Sequence, residues 1–317
     1  MRRKVTSCFQ AKDFIQTKEG LVFAVVEQGL ENGKVLCFLR YQKLGISWQK
    51  LATSQANQLL KIQYPQYLFY SQVKSANLHA VSVADISIHH QPRQRLQLLL
   101  AKPNPDKIEQ DFIDLCQLFQ EQGVKLNDLG VTGSLLLGAQ NSNSDIDLVV
   151  YGRKSFYQLR ELIRLLIVED KLQQLDESAW LDSYQRRSCD LSYDDYVWHE
   201  QRKYNKALIQ QRKFDLNLIE RSAEQESISY QKQGAIIIRA RVIDAQYAFD
   251  YPARFIIEHQ DVAEVVCYTA TYTGQAEQGE FIEVSGQLEV SSAGMTRILV
   301  GSTREAEGEY IKVVAHL

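Results

Sequence analysis

The decisive stretch, residues 129–152, reads L-G-V-T-G-S-L-L-L-G-A-Q-N-S-N-S-D-I-D-L-V-V-Y-G. A short apolar strand over 129–132 runs into Gly133-Ser134. An apolar helical stretch over 135–139 and a polar turn over 140–144 follow. A second strand, 145–151, then carries two carboxylates, Asp145 and Asp147. Side chains two apart on a strand point to one face, with alpha carbons roughly 6.5 Å apart at about 3.3 Å per residue. Ile146, Leu148 and Val150 then face the other way, into a core. Neighbouring ionised carboxylates repel, and one shifts toward protonation unless a cation lies between them. A hard divalent ion held by one or two carboxylates, waters and substrate phosphates meets that need, and magnesium is the usual choice. Gly133-Ser134 stands where a helix begins. Free backbone N–H groups there favour phosphate. Glycine permits close backbone approach, and the Ser134 hydroxyl can donate to a phosphate oxygen.

This arrangement resembles the signature of the DNA polymerase beta-type nucleotidyltransferase superfamily. That signature is an apolar strand, Gly-Ser, a spacer (here residues 135–144), then acid-apolar-acid-apolar on a strand. A lone D-I-D triplet is common by chance, and the alternative is a surface strand with two solvated aspartates. The resemblance implies a nucleoside triphosphate substrate and two magnesium ions at Asp145 and Asp147, about 3.5–4 Å apart in sites of this type. It further implies a third carboxylate on a strand beside the acid-pair strand. Residues 213–219, K-F-D-L-N-L-I, alternate as a half-buried strand should. Asp215 and Asn217 share one face with Lys213, while Phe214, Leu216 and Leu218 share the other. Asp215 fits the third place, where it shares the metal that activates the acceptor hydroxyl. Asp190, in less regular sequence before a helix cap, is its rival. Catalysis and metal binding are thus assigned to Asp145, Asp147 and Asp215, and nucleotide binding to Gly133, Ser134 and Lys213.

The chain has 317 residues, 45% of them hydrophobic, enough for two or three packed domains. No apolar run approaches the roughly 18 residues of a membrane helix. The start, M-R-R-K-V-T-S-C-F-Q, is charged and has no apolar segment after it, so no secretory signal is expected. Cys8, Cys37, Cys116, Cys189 and Cys267 are scattered without a C-x-x-C pair. They read as free thiols of a reducing cytoplasm, against a disulfide or zinc framework. Charge is unevenly spread. Residues 1–100 carry 13 Lys and Arg against 5 Asp and Glu, residues 101–222 carry 16 against 20, and residues 223–317 carry 7 against 14. A basic block beside an acidic one marks a polyanion-binding face or two domains that attract each other.

In chain order, strands are expected over 13–16, 21–28 and 34–42, with turns at Lys18-Glu19-Gly20 and Glu31-Asn32-Gly33. A helix over 51–62 has Thr53 or Ser54 as its cap. Residues 64–70, Y-P-Q-Y-L-F-Y, serve as core or as a stacking surface for bases. A strand over 78–89 follows. His79, His89 and His90 show no metal-ligand spacing, and His89-His90 reads as a strand end near the surface. Pro92, Pro103 and Pro105 mark a domain boundary. Helices are expected over 106–123, over 155–172 with Ser155 as cap, and from Ser192 to about residue 208. The last carries Trp198, Tyr204 and part of a run of five cations, Arg202, Lys203, Lys206, Arg212 and Lys213. These form a solvated face or contact phosphates. Strands over 235–242, 254–259, 262–273, 280–290, 295–300 and 310–314 suggest a small closed or partly open barrel. Tyr268, Tyr272 and Arg304 are core or rim residues, or a local site. The tail, with Y-T-G-Q-A-E-Q-G-E and G-S-T-R-E-A-E-G-E-Y, resembles the C-terminal part of uncharacterised archaeal proteins predicted to be nucleotidyltransferases.

The expected architecture is a multidomain α+β chain. Residues 1–100 form a basic β-rich domain, 101–225 an α/β nucleotidyltransferase domain with a mixed sheet, and 226–317 a small β-barrel. The expected reaction is metal-dependent transfer of a nucleoside monophosphate from a nucleoside triphosphate to a hydroxyl, with pyrophosphate released. An RNA or other polynucleotide end is one acceptor; a protein or small molecule is another. The remaining alternative is a non-catalytic nucleotide or nucleic-acid binding protein that keeps the fold.

Overall fold

The computed structural model describes residues 9–72, 76–187, 189–220, 229–302 and 306–314. Cys8, Arg304 and the cations Arg2, Arg3, Lys4 and Lys74 lie outside the described residues. The chain divides into two compact units, Met1–Tyr151 with Phe214–Leu216, and Gly152–Lys213 with Asn217–Leu317.

The first unit opens with β1 (Phe14–Thr17), β2 (Leu21–Val25), β3 (Lys34–Leu44) and β4 (Ser47–Lys50). Then come α1 (Thr53–Gln63), β5 (Leu68–Ser71), β6 (Ala76–Ser82) and β7 (Ile86–His90). These seven strands make one sheet in the order β5-β6-β3-β2-β1-β7, with β4 paired to β3. Asn32 and Gly33 both take positive φ, as a tight turn before β3 requires. The cap of α1 is Ala52, not Thr53 or Ser54. Its backbone N–H donates to the Gln55 side-chain oxygen at 2.9 Å, the reciprocal half of a capping box, while Ala52 offers no side-chain oxygen to the first N–H groups of the helix. One face of the sheet packs Ile15, Leu21, Phe23 and Leu39 against Ala56 and Leu60 of α1.

The proline-rich boundary is in part a helix, α2 (Pro92–Leu100), because Pro92 sits at its first turn, where the missing N–H costs nothing. Next is α3 (Lys107–Glu121). Asp106 caps it by accepting from the Ile108 and Glu109 N–H groups, and Glu109 accepts from the Asp106 N–H in return. Phe112, Leu115, Cys116 and Phe119 line its buried side. The decisive stretch follows as β8 (Leu129–Thr132), α4 (Gly133–Leu137) and β9 (Ile146–Tyr151). The second face of the large sheet, with Phe14, Val22 and Tyr41, packs on Leu136 of α4.

The second unit contains α5 (Arg153–Val168), α6 (Glu177–Gln185) and α7 (Tyr193–Gln201). Gly152, not Ser155, caps α5, and the Glu220 carboxylate accepts from the Arg153 N–H at 2.6 Å. The helix expected to reach residue 208 stops at Gln201, and Tyr204 turns the chain with φ 48°. After it come β10 (Lys206–Ile209) and β11 (Arg212–Ile219). The central sheet has the order β10-β11-β9-β8. The remaining strands are β12 (Tyr230–Asp244), β13 (Ala253–Glu258), β14 (Glu264–Cys267), β15 (Phe281–Ser291), β16 (Thr296–Val300) and β17 (Tyr310–Val314). Their order is β12-β13-β14-β16-β15-β17, and β12 also pairs β15, so the pairings run through a ring of five strands. Among the described residues no helix is long and apolar enough to cross a membrane.

Candidate active site

β8 and β9 are antiparallel, and Thr132 lies opposite Asp147. Directly opposed residues of an antiparallel pair project from the same face. The next residue, Gly133, has φ +64°, and a Cβ built on it would lie 1.9 Å from Oδ2 of Asp147. The Asp147 carboxylate therefore rests against the glycine backbone, and any other residue would displace it. Ser134 is half-buried in the first turn of α4. Asp145 is half-buried like Asp147 but precedes the strand, which begins at Ile146. Ile146, Leu148 and Val150 are wholly buried, as the alternation requires.

Asp215 lies on β11, the neighbour of β9 in the sheet. Phe214, Leu216 and Leu218 are buried, and the Phe214 ring meets Phe119 of α3 edge-on at 6.1 Å. That contact turns one side of β11 toward α3 and leaves half-buried Asp215 on the other. Lys213 is also half-buried on this strand. Asp190 has a different setting. It is exposed, its carboxylate accepts from the Gly308 N–H at 2.9 Å, and its own N–H donates to the Tyr272 hydroxyl. It anchors a loop of the second unit.

The turn is held by residues that sequence reading did not single out. Arg95 of α2 donates to the Leu135 carbonyl at 2.8 Å and sits 3.6 Å from the buried Glu109 carboxylate. Lys102 also pairs with Glu109. Gln140, at the head of the polar turn, donates to Asp106 at 2.9 Å. The Asp106-x-x-Glu109 capping pattern was visible in sequence; the role of Arg95, 40 residues from Leu135, carried no local signal. From the large sheet, buried Tyr41 feels the site as well. Burial raises its hydroxyl pKa above the ordinary value, and the negative charge of Asp147 adds to the rise while Arg40 opposes it.

Three of the five cations in the run, Arg202, Lys203 and Lys206, are engaged by acids of the second unit. Arg202 makes a two-oxygen contact with Glu280, both at 2.6 Å, and its guanidinium lies over the Trp198 ring. Lys203 is buried and donates to Glu200 at 2.5 Å and to the Thr271 carbonyl at 3.0 Å. Burial pulls its pKa well below the ordinary lysine value. Lys206 pairs with the other Glu200 oxygen. These three cations brace the second unit. Among the aromatics of residues 64–70, Tyr67 is core and Tyr70 is exposed. Tyr272 is buried. His89 pairs with Asp13 and His90 with Gln16, while His79 is buried between the Leu39 N–H and Asn57.

Among the described residues, no set of three or more His, Cys, Asp or Glu side chains converges as a ready-made metal site. The donors present still suit magnesium, which binds through one or two carboxylates and completes its shell with water and substrate phosphate. The glycine cradle that a Cβ would fill keeps Asp147 beside the Gly133 turn.

The Nucleotidyltransferase domain family model matches residues 114–225, which span this turn, both motif aspartates and Asp215. An uncharacterised protein of Methanocaldococcus jannaschii, MJ1086, is 33% identical over 336 aligned positions, covering 95% of this chain and 98% of that protein. No solved structure matches the chain significantly. With the motif strands, the glycine turn and the neighbouring third strand in place, the chain belongs to the nucleotidyltransferase-domain family of the DNA polymerase beta-like superfamily, and is a transferase.

Proposed function

We propose that the protein transfers a nucleoside monophosphate from a nucleoside triphosphate to the hydroxyl end of a polynucleotide, RNA in the first instance. The observation that carries the transfer reading is the contact between Gly133 and the Asp147 carboxylate. It puts a backbone turn at the start of a helix beside a carboxylate, with Asp145 two residues away and Asp215 on the next strand. Backbone N–H groups of the turn and the Ser134 hydroxyl hold triphosphate oxygens, and Lys213 adds positive charge on the Asp215 strand. The acceptor oxygen bonds to the α-phosphorus, the bond from that phosphorus to the bridging oxygen breaks, and pyrophosphate leaves. The hydroxyl proton passes to solvent. Two magnesium ions, held by Asp145, Asp147 and Asp215, would supply neutralisation of triphosphate charge and activation of the hydroxyl. The chain's own contribution is position: a fixed turn, fixed carboxylates and a buried strand beneath them.

A polynucleotide acceptor is favoured by the first 100 residues, with 13 cations against 5 acids. Strand register adds a local reason. Tyr41 opposes Lys50 and Lys43 opposes Trp48, so all four project from the sheet face that carries α4. Lys43 and Lys50 are exposed, and the Lys43 ammonium stands 5.7 Å from the Trp48 ring centre. Cations interleaved with an aromatic suit a single strand. The test is incubation with each labelled triphosphate, magnesium, and total RNA or lysate. Label in nuclease-sensitive material supports the reading. Label only in protein or in a small product moves the acceptor to that class, and no labelled product with any triphosphate overturns the transfer itself.

A further inference from the structure

Thr132 is the cap residue of α4, yet its hydroxyl does not bond its own helix. A threonine in that place ordinarily accepts from the N–H two or three residues on. Here the hydroxyl donates instead to the Lys12 carbonyl at 2.8 Å, across 120 residues of sequence. Both ends of this bond are fixed. Thr132 is only 5% exposed. Lys12 adopts φ 72° and its N–H is bonded to the Val25 carbonyl, tying it to β2. Beside the bond, Phe14, Val22 and Tyr41 form a buried cluster with Leu136, flanked by Trp48, Leu137 and Ala139. The helix that follows Gly133 is thus packed on the amino-terminal sheet, and the residue before Gly133 is bonded to it.

We propose that Thr132 and Tyr41 are positioning residues of the transfer site, through which the amino-terminal sheet fixes the Gly133–Asp147 contact. This rests on the nucleotidyl-transfer reading above. Gly133 follows Thr132 directly, and Asp147 is Thr132's partner in the strand register. Any shift of Thr132 therefore displaces the Gly133 turn relative to the Asp147 carboxylate on the paired strand. Loss of the hydroxyl leaves the Lys12 carbonyl without this donor and frees the strand end to move. Loss of the Tyr41 ring opens the wall behind Leu136. Misplacement of reacting groups by about 1 Å costs on the order of a hundred-fold in rate. The sheet is then a working wall of the site and not only a separate grip on a polyanion.

The test compares Thr132→Val, which removes the hydroxyl at constant size, with Thr132→Ser, which keeps it. Thr132→Ala, which adds no bulk, serves where the valine variant does not fold. Leu60→Ala is the control, because Leu60 packs on the opposite face of the same sheet. The readouts are kcat, KM for the triphosphate, thermal midpoint, and the rise in that midpoint given by magnesium and triphosphate together. Thr132→Val is expected to lower kcat about ten-fold or more and to diminish the ligand-induced rise, with Thr132→Ser recovering to within about three-fold of the parent. Tyr41→Leu should follow Thr132→Val. Leu60→Ala should lower the midpoint while the folded protein keeps the parental kcat. A Thr132→Val enzyme within about three-fold of the parent, or a Leu60→Ala enzyme equally impaired in kcat, overturns the positioning role. A parent chain that neither transfers nor is stabilised by magnesium and triphosphate overturns the transfer reading first, and this role with it.

Discussion

The Asp147 carboxylate lies against the alpha carbon of Gly133, so closely that a methyl group there would come within 1.9 Å of Oδ2. Gly133 also has φ +64°, a conformation that costs other residues about 1–2 kcal/mol. Gly133→Ala should therefore act twice, straining the turn and pushing Asp147 aside. We expect turnover to fall by about a hundred-fold, with a stability loss of only about 1–3 kcal/mol, because the turn and not the core is disturbed. Parallel kinetics and thermal melts decide it, and parental turnover in Gly133→Ala would remove this contact from the mechanism.

Asp145→Asn and Asp147→Asn should each abolish transfer and leave the fold intact. Asp145 and Asp147 are both half-buried and two residues apart. Removing one of two mutually repelling charges relieves the ligand-free protein. Its melting temperature should hold level or rise, while the stabilisation by magnesium and triphosphate disappears. Either variant working at the parental rate would show that the assigned pair is wrong.

Asp215 and Asp190 should separate cleanly. Asp215 stands on the strand beside β9, whereas Asp190 accepts from the Gly308 N–H. An asparagine at 190 keeps an oxygen for that bond, so Asp190→Asn should be nearly silent. Asp215→Asn should lower kcat far more than triphosphate affinity, since its proposed task is the acceptor side of the reaction. The reverse ranking of kcat defects would exchange the two roles.

What the sequence disclosed and what it hid follow from the range of the interactions. The two strands, the glycine turn between them and the place of Asp147 were legible because their geometry is set within about twenty residues by strand period and glycine freedom, whereas the strand expected from Asp145 begins one residue later, at Ile146. The strands from residue 230 onward were legible for the same reason, with polar and apolar residues alternating between turn signals. The end of α7 was hidden, because Tyr204 takes a left-handed conformation with no glycine to announce it. The engagement of Arg202, Lys203 and Lys206 was hidden for want of their partners. Glu280 lies 78 residues from Arg202, and Glu200 stands just ahead of the run. The bond from Thr132 to Lys12 spans 120 residues, and no periodicity in a single chain encodes such a pairing.

Stability should fall as pH drops from about 6.5 toward about 4, beginning well above the range where most carboxylates titrate. His79 and His199 are both held by burial at a pKa of about 4, against an ordinary 6.5. Each ring uses both nitrogens in the neutral form. His79 accepts from the Leu39 N–H and meets the Asn57 side-chain oxygen. His199 meets the Asp195 carbonyl and accepts from the Val313 N–H. The unfolded chain binds these protons first, so the stabilisation is fully present above about pH 6.5 and lost on the way down to about pH 4. Each pKa unit corresponds to about 1.4 kcal/mol. Urea midpoints taken at intervals from pH 7.5 to 4.5 should decline throughout that window, and a flat profile above pH 5 would contradict the neutral, doubly bonded rings.

The acceptor can be read through salt. Arg202, Lys203 and Lys206 are engaged by Glu280 and Glu200 inside the second unit, so they should add nothing to polynucleotide binding. The exposed Lys43 and Lys50, on the face shared with Tyr41 and Trp48, should carry part of it. Each phosphate neutralised on a single strand releases counterions and steepens the fall of log affinity with log salt by roughly 0.7. Four contacts would give a slope near −3 and weaken binding about fifty-fold between 50 and 200 mM salt. In the full-length protein, Lys43→Gln with Lys50→Gln should flatten the slope by roughly 1.4, whereas Arg202→Gln should leave it unchanged. The probe is a fluorescent single-stranded RNA oligonucleotide titrated at several salt concentrations. Binding that is absent at low salt, or indifferent to salt, would remove the polynucleotide acceptor and leave a protein or small-molecule hydroxyl in its place.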